Sequence, residues 1–239
     1  MGVRAAVQSP RQLPLMLALT FATGIVDAVG YLGLDRVFTG NMTGNVVILG
    51  MALAGAEDLP VVGPVIALVG FKVGAALAGR ALRPLGAGWA RRTTVLLTLV
   101  AVLTLGLAAF LLASPQPAYA AALGVTGVLG GAMGLQAGTA RRIAVQDVTT
   151  VVVTSTITGL AADSWFGSGV GAQPWRRGSA IVLILAGAAS GALLLRWHLG
   201  AGLLASGALV LVVALLGHLD ARRATRLATE GDAQQADRP

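Results

Sequence analysis

Long apolar stretches dominate the chain and predict membrane-spanning helices. A helix needs about 20 apolar residues to cross a bilayer. Because a spanning chain must satisfy its own backbone hydrogen bonds, only helices or a closed barrel can cross, and these stretches lack the alternation of barrel strands. The sequence therefore predicts an all-α membrane protein. The six predicted spans lie near residues 13–34, 60–82, 93–113, 118–140, 178–195 and 200–218.

Two further apolar segments, 38–56 and 144–162, begin with polar residues and predict broken or re-entrant helices. Arg and Lys favour the cytoplasmic side of a membrane, so the distribution of charge tests whether these segments cross. If neither crosses, the arginine-rich loop 83–92 lies inside with both termini, whereas Glu57 and Asp58 lie outside. The charge therefore favours six full spans, with both termini cytoplasmic.

A faint internal repeat accompanies the two interrupted segments. Sliding the chain along itself aligns Asn41 with Asp147 and gives two units, 13–113 and 118–219, followed by a flexible cytoplasmic tail at 220–239. Each unit has three full spans, so the two units must have opposite orientations in the membrane. Such an inverted 3+3 repeat with interrupted helices is common in secondary transporters, where the substrate site lies near the midplane.

Polar residues at the starts of the interrupted segments, and deep in the spans, predict a substrate site. A helix that begins inside the membrane presents free N–H groups and a positive dipole end to a polar ligand. Unpaired polar groups in hydrocarbon are costly, and the chain has more of them than helix caps require. The alternative is that they only cap and join helices. The candidate substrate-binding residues are Asp27, Asn41, Thr43, Asn45, Gln136, Asp147, Thr149 and Thr150.

Two ionisable residues, Asp27 and Lys72, lie deep in predicted spans. Charged residues inside a membrane usually pair with one another, so we expect these two to form an ion pair. Asp27 is also a candidate coupling residue for an ion or proton. The alternatives are that Asp27 only fixes packing and that the long side chain of Lys72 reaches the membrane surface.

Small residues recur at four-residue spacing in several spans, as in Gly70 with Gly74 and Gly187 with Gly191. This spacing lets helices approach closely within a membrane. We expect these glycines to serve helix packing and not ligand binding.

Several classes of function lack their sequence signals. The chain has no Cys, and its two His residues have no acidic or His neighbour at metal-ligand spacing. It contains no nucleotide-binding loop or hydrolase motif, so we expect no enzyme, metal or cofactor. The net charge of +7 comes mostly from Arg near span ends and indicates membrane orientation, not nucleic-acid binding. The expected partners are the lipid bilayer, a small polar solute or coupling ion, and a second copy of the chain.

Two stretches carry a resemblance to a known family: GIVDAVGYLGLDRVFTGNMTGNVVILG and GLQAGTARRIAVQDVTTVVVTSTITGLAADS. From about Leu13 to Leu219 the chain resembles the YoaK-like family of small bacterial membrane proteins, a domain of unknown function. Lys72 departs from that family's mostly apolar pattern. The resemblance implies a multi-pass inner-membrane protein and supplies no activity.

The architecture favours a secondary transporter or facilitator of a small polar solute, with the two interrupted helices forming the site. A channel shares this architecture but requires a continuous polar pore. A non-transporting interaction or assembly subunit would use the same polar residues only for packing.

Overall fold

Eight helices form the part of the chain that the computed structural model describes, residues 12–85, 87–143, 153–165, 167–169 and 174–236, and this part contains no strand. Six of these helices are long and apolar enough to span a membrane, and two are shorter apolar helices. The prediction of an all-α fold with six spans and two short segments is confirmed. The helices are α1 (Gln12–Gly33), α2 (Met42–Leu53), α3 (Val62–Leu82), α4 (Arg91–Ala113), α5 (Tyr119–Ile143), α6 (Val153–Ala162), α7 (Pro174–Leu195) and α8 (Leu199–Ala236).

Helices α3 and α5 pack against each other, backbone to backbone, through glycines. A Cβ atom added at Gly130 would lie 2.8 Å from the carbonyl oxygen of Ala67, and one added at Gly134 would collide with that of Phe71. Without Cβ atoms the two backbones approach closely, as small residues permit in membranes. Residue numbers rise together along the two helices, so α3 and α5 are parallel.

Helices α1 and α7 form a second parallel pair of the same kind. A Cβ atom at Gly187 would collide with the carbonyl oxygen of Phe21, and one at Gly191 would lie 2.7 Å from that of Ile25. The packing role predicted for Gly187 and Gly191 is confirmed.

The third large contact joins α4 to α8, and these helices are antiparallel. Gly200, at the start of α8, lies against Ala108 in the second half of α4. Further along α8, Gly217 lies under the ring of Trp89, which precedes α4. Together the three helix pairs leave most of their outer apolar side chains exposed, as expected of a surface that faces lipid.

Helices α1 and α5 cross at the centre of the bundle in opposite directions, and α1 is the most buried of the six spans. One apolar cluster contains Leu15 from the first half of α1 and Ile143 from the end of α5. A second contains Val29 from the last turns of α1 and Val125 from the first turns of α5.

Neither of the two short helices, α2 and α6, crosses the bundle. The side chain of Arg36, just after α1, donates to the carbonyl oxygen of Asp58 at 3.0 Å, and Gly63 in α3 lies against Val37. Helix α3 therefore begins at the end of the bundle where α1 finishes. Because α5 runs opposite to α1 and α7 runs parallel to it, α7 likewise begins where α5 finishes.

Helix α8 extends well beyond the predicted span end at 218 and continues to Ala236. Residues 220–236 of the segment that the sequence predicted as a flexible tail, 220–239, continue this helix. The segment is rich in Ala and Arg, which favour helix, and Gly231 is its weakest helix former.

Candidate functional site

The loop between α1 and α2 folds back into the bundle and is held there by Asp27. Asp27 lies six residues before the end of α1 at Gly33, or about 9 Å along the helix axis at 1.5 Å per residue. Its Oδ1 atom accepts hydrogen bonds from the backbone N–H groups of Thr39 at 3.0 Å, Gly40 at 2.7 Å and Asn41 at 3.3 Å. The start of α2 therefore lies at the depth of Asp27, inside the end of the bundle.

Gly40 allows this approach because it has no side chain. A Cβ atom at Gly40 would lie 2.8 Å from Cγ2 of Thr23 and 3.4 Å from both carboxylate oxygens of Asp27. A larger residue would push the loop away from α1 and lengthen the hydrogen bonds to Asp27.

The two asparagines of the TGNMTGN segment bond within their own loop and helix. Asn41 is the N-cap of α2, and its side-chain oxygen accepts from the N–H of Gly44 at 3.4 Å. Asn45 is fully buried; its Oδ1 accepts from the N–H of Phe38 at 2.9 Å and its Nδ2 donates to the carbonyl oxygen of Phe38 at 2.5 Å. The ring of Phe38 stacks on Tyr31 with centroids 4.8 Å apart. Asn45 therefore fixes Phe38, and through it the loop, against α1.

Gln136 of α5 joins this region from the opposite side. Its Nε2 atom donates to Oγ1 of Thr23 at 3.0 Å and lies 3.5 Å from the carbonyl oxygen of Leu19. Thr23 is one helical turn before Asp27 and touches the position of Gly40. Thr23, Asp27, Thr39, Gly40 and Gln136 thus form one connected group, which we call the central polar cluster. The sequence analysis missed Thr23, although its four-residue spacing from Asp27 places both on one face of α1.

Two buried hydroxyl oxygens in and beside this cluster have no hydrogen-bond partner among the described residues. They are Oγ1 of Thr39 and Oγ1 of Thr139, which lies about one turn after Gln136 on α5. Only Oδ1 of Asp27 accepts hydrogen bonds, and no described residue donates to its Oδ2. Buried polar atoms nearly always find a partner in protein, water or ligand, so these atoms mark positions with spare hydrogen-bonding capacity.

The structure does not bring all the predicted site residues together. Thr43 is exposed on α2 and is not part of the central polar cluster. Asp147, Thr149 and Thr150 lie outside the described residues. Helix α2 packs on α3 and α6 packs on α7, and in the described parts of the chain α2 and α6 do not touch.

The predicted ion pair between Asp27 and Lys72 is wrong. Lys72 is exposed and shares the outer face of α3 with Val69 and Val73, whereas Asp27 keeps only 9% of its surface exposed. Gly70 and Gly74 direct the opposite face of α3 onto α5. The carboxylate of Asp27 is stabilised by backbone N–H groups at the start of a helix, which act as a partial positive charge.

A separate polar contact joins α6 to α7. Arg177 forms an ion pair with Asp163 at 2.6 Å and lies over Gly159. A cavity of about 270 Å³ lies beside this ion pair, with the exposed ring of Trp165 at its edge. This cavity lies at the end of the bundle opposite to the loop before α2. In the described residues, no group of three or more His, Asp or Glu side chains could hold a metal ion.

Comparisons with known proteins agree with the resemblance noted in the sequence. The family described as "Protein of unknown function (DUF1275)" matches residues 15–216. The UPF0700 transmembrane protein YoaK of Bacillus subtilis is 33% identical over 153 residues, which cover 62% of this chain and 65% of that protein. The chain thus spans somewhat less than two thirds of that relative. No solved structure matches the chain significantly. The predicted membership of the YoaK-like family is confirmed.

Proposed function

Since the chain belongs to the DUF1275 family of membrane proteins, whose description names no activity, we propose from its geometry that it is a secondary transporter or facilitator of a small polar solute. The observation that carries the proposal is the central polar cluster. It lies where α1 and α5 cross, and it connects a loop that enters from one end of the bundle with a buried glutamine of another span.

The proposal includes an inverted repeat of α1–α4 and α5–α8, and the helix contacts support it. If α1 corresponds to α5, α2 to α6, α3 to α7 and α4 to α8, then the contact of α3 with α5 corresponds to that of α7 with α1. The contact of α2 with α3 corresponds to that of α6 with α7, and the contact of α1 with α8 to that of α5 with α4. The same correspondence exchanges α4 with α8, so the contact between these two helices corresponds to itself. A pseudo-two-fold axis through the crossing of α1 and α5 accounts for all these pairs.

The orientation that we propose places both ends of the chain in the cytoplasm. The loop between α3 and α4, the end of α5, the start of α7 and the later part of α8 lie at one end of the bundle and carry most of the arginines. The other end carries Arg36 and Arg196 with the acidic residues Asp35, Glu57 and Asp58. An excess of Arg marks the cytoplasmic side.

Flux measurements on purified protein in sealed liposomes test the proposal. Light scattering would follow the osmotic shrinking and swelling of the vesicles with a panel of small neutral, cationic and anionic solutes. Transport requires that at least one solute enters protein-containing vesicles faster than empty ones, at a rate that saturates with concentration. If no solute of the panel does so, the proposal fails.

A pair of matched threonine variants tests whether the central polar cluster is the site. Thr23 and Thr104 are both buried, and each donates to the carbonyl oxygen four residues earlier, at 2.9 Å and 2.8 Å. Only Thr23 also accepts from Gln136. A hydrogen bond contributes about 0.5–1.5 kcal/mol, so Thr23→Val should lower flux by roughly 2- to 10-fold, while Thr104→Val leaves it unchanged. If the two variants lower the flux equally, the central polar cluster is not the transport site.

A second candidate is a non-transporting interaction or assembly subunit. The hydrogen bonds of Asn41 and Asn45 within their own segment favour it, because those side chains then serve to fix α2. This candidate predicts no flux for any solute, in the unmodified protein or in either threonine variant. A channel would instead give a non-saturating flux and a conductance in planar bilayers.

A further inference from the structure

Helix α2 is held to the bundle mainly at its start. Among the helices in the described residues it contacts only α3, and its outer side chains, such as Val46 and Val47, are more than half exposed. The hydrogen bonds from the backbone N–H groups of residues 39–41 to Oδ1 of Asp27 fix its start to α1. We call these three hydrogen bonds the Asp27 latch.

The carboxylate in the latch has no cationic partner within the part of the chain that the structure describes. Among the described residues, α5, α7 and α8 present no titratable side chain to Asp27, and the nearest ones along these helices, Arg196 and His198, lie at the end of α7 and the start of α8. In the loop itself, Asp35 lies beside Gly63 and Arg36 donates to Asp58. In the described part of the chain, the groups that stabilise the charge of Asp27 are therefore the three backbone N–H groups.

Protonation would weaken these hydrogen bonds. An ionised carboxylate is a much stronger acceptor than a neutral carboxyl group, so three N–H donors directed at Oδ1 stabilise the charged form. The other oxygen, Oδ2, has no donor among the described residues, so it can take up a proton without first displacing a partner. The hydroxyl of Thr39 belongs to the same cluster and has no partner among the described residues.

We propose that Asp27 is a proton-binding site and that its protonation at Oδ2 releases the start of α2 from α1. The proton comes from water at the end of the bundle where α1 finishes, an O–H bond forms on Oδ2, and the three N–H groups lose their charged acceptor. Residues 39–41 then move away from α1 and expose Thr23 and Gln136 to that end. This inference rests on the proposed transport function, for which it names the proton as the coupling ion.

The test uses single cysteines, because the chain has none of its own. Thr39 is fully buried and its hydroxyl has no partner among the described residues, so Thr39→Cys reports opening of the latch with little disturbance. Glu57→Cys, at an exposed position near the same end, corrects for the effect of pH on thiol reactivity. The measured quantity is the ratio of the two rates of modification by a membrane-impermeant thiol reagent, with the full-length protein in liposomes.

The inference predicts that this ratio rises on the order of tenfold between about pH 7 and about pH 3, a range that spans the usual Asp pKa of about 3.9. With Asp27→Asn added, the ratio should be high and independent of pH. A ratio that does not change with pH when Asp27 is present would overturn the inference, as would an unchanged ratio in Asp27→Asn.

A second variant covers the case in which Asp27→Asn does not fold. Asn45→Ala removes the hydrogen bonds to Phe38 but keeps Asp27. It should raise the ratio at every pH and leave a pH dependence. Loss of the pH dependence in Asn45→Ala would show that general loosening of the loop, and not protonation of Asp27, opens the latch.

Failure of this inference differs from failure of the proposed function. The labelling needs no solute and reports the latch alone, whereas the liposome flux reports transport alone. Saturable flux with a pH-independent ratio would overturn proton binding at Asp27 and keep transport. A pH-dependent ratio without flux would keep the latch and overturn its coupling to transport.

Discussion

Replacing Asn45 by Ala should destabilise the protein far more than replacing Asn41, although both belong to the same loop and helix start. Asn45 is fully buried and its amide makes two hydrogen bonds with the backbone of Phe38, at 2.9 Å and 2.5 Å. Its loss leaves one N–H and one C=O group of Phe38 without partners, at about 1–3 kcal/mol each. We therefore expect about 2–4 kcal/mol for Asn45→Ala, because Phe38 is only partly buried and water can reach part of its backbone.

Asn41→Ala is the matched control. Asn41 is exposed and makes one long N-cap bond to Gly44, at 3.4 Å. The loss of an N-cap costs about 0.5–2 kcal/mol, and a bond of this length belongs near the lower limit. Both variants delete the same atoms, so side-chain size does not confound the comparison.

Thermal unfolding in detergent micelles, followed by circular dichroism, measures the difference. A loss of 1 kcal/mol lowers Tm by roughly 2–4 °C in a protein of this size, so Asn45→Ala should lower it by roughly 4–16 °C. Asn41→Ala should lower it by no more than about 4 °C. Equal shifts would refute the hydrogen-bond account of Asn45, and a larger shift for Asn41 would assign the stability of the loop to its N-cap.

Two further predictions concern α3. A Cβ atom at Gly74 would collide with the carbonyl oxygen of Gly131, whereas one at Gly79 would meet nothing within 4 Å. Gly74→Ala should therefore lower Tm. Gly79→Ala should raise Tm slightly, because Ala is more favourable than Gly in a helix by about 1 kcal/mol. Equal shifts would contradict the backbone contact of α3 with α5. Lys72→Met should leave Tm unchanged or higher because Lys72 is exposed, and a clear decrease would indicate a buried partner for Lys72.

Hydropathy and charge were sufficient to predict the six spans and the two short helices. Apolar length determines which helices can cross, and the position of Glu57 and Asp58 relative to the arginines argued against crossing by segment 38–56. The packing glycines were also predictable, since close helix approach in membranes requires small residues at this spacing. These features depend on one helix or one pair of helices at a time.

The arrangement of the candidate site was harder to predict. Around Lys72, apolar residues occupy every face of α3, so the sequence did not reveal that Lys72 faces outward. The role of Asp27 depends on how deeply residues 39–41 return into the bundle, which is a long-range contact that no local pattern encodes. Thr23 was missed because threonine is common in membrane helices, and only its contacts with Gln136 and Gly40 distinguish it.

Side-specific labelling of two single cysteines tests the central claim, that the two interrupted segments return on opposite sides of the membrane. Glu57 follows α2 and Ser168 follows α6, and both positions are exposed in a chain without native cysteine. In intact cells a membrane-impermeant thiol reagent should modify Glu57→Cys from outside, and should modify Ser168→Cys only after the cells are opened. Modification of both cysteines from the same side would contradict the inverted arrangement.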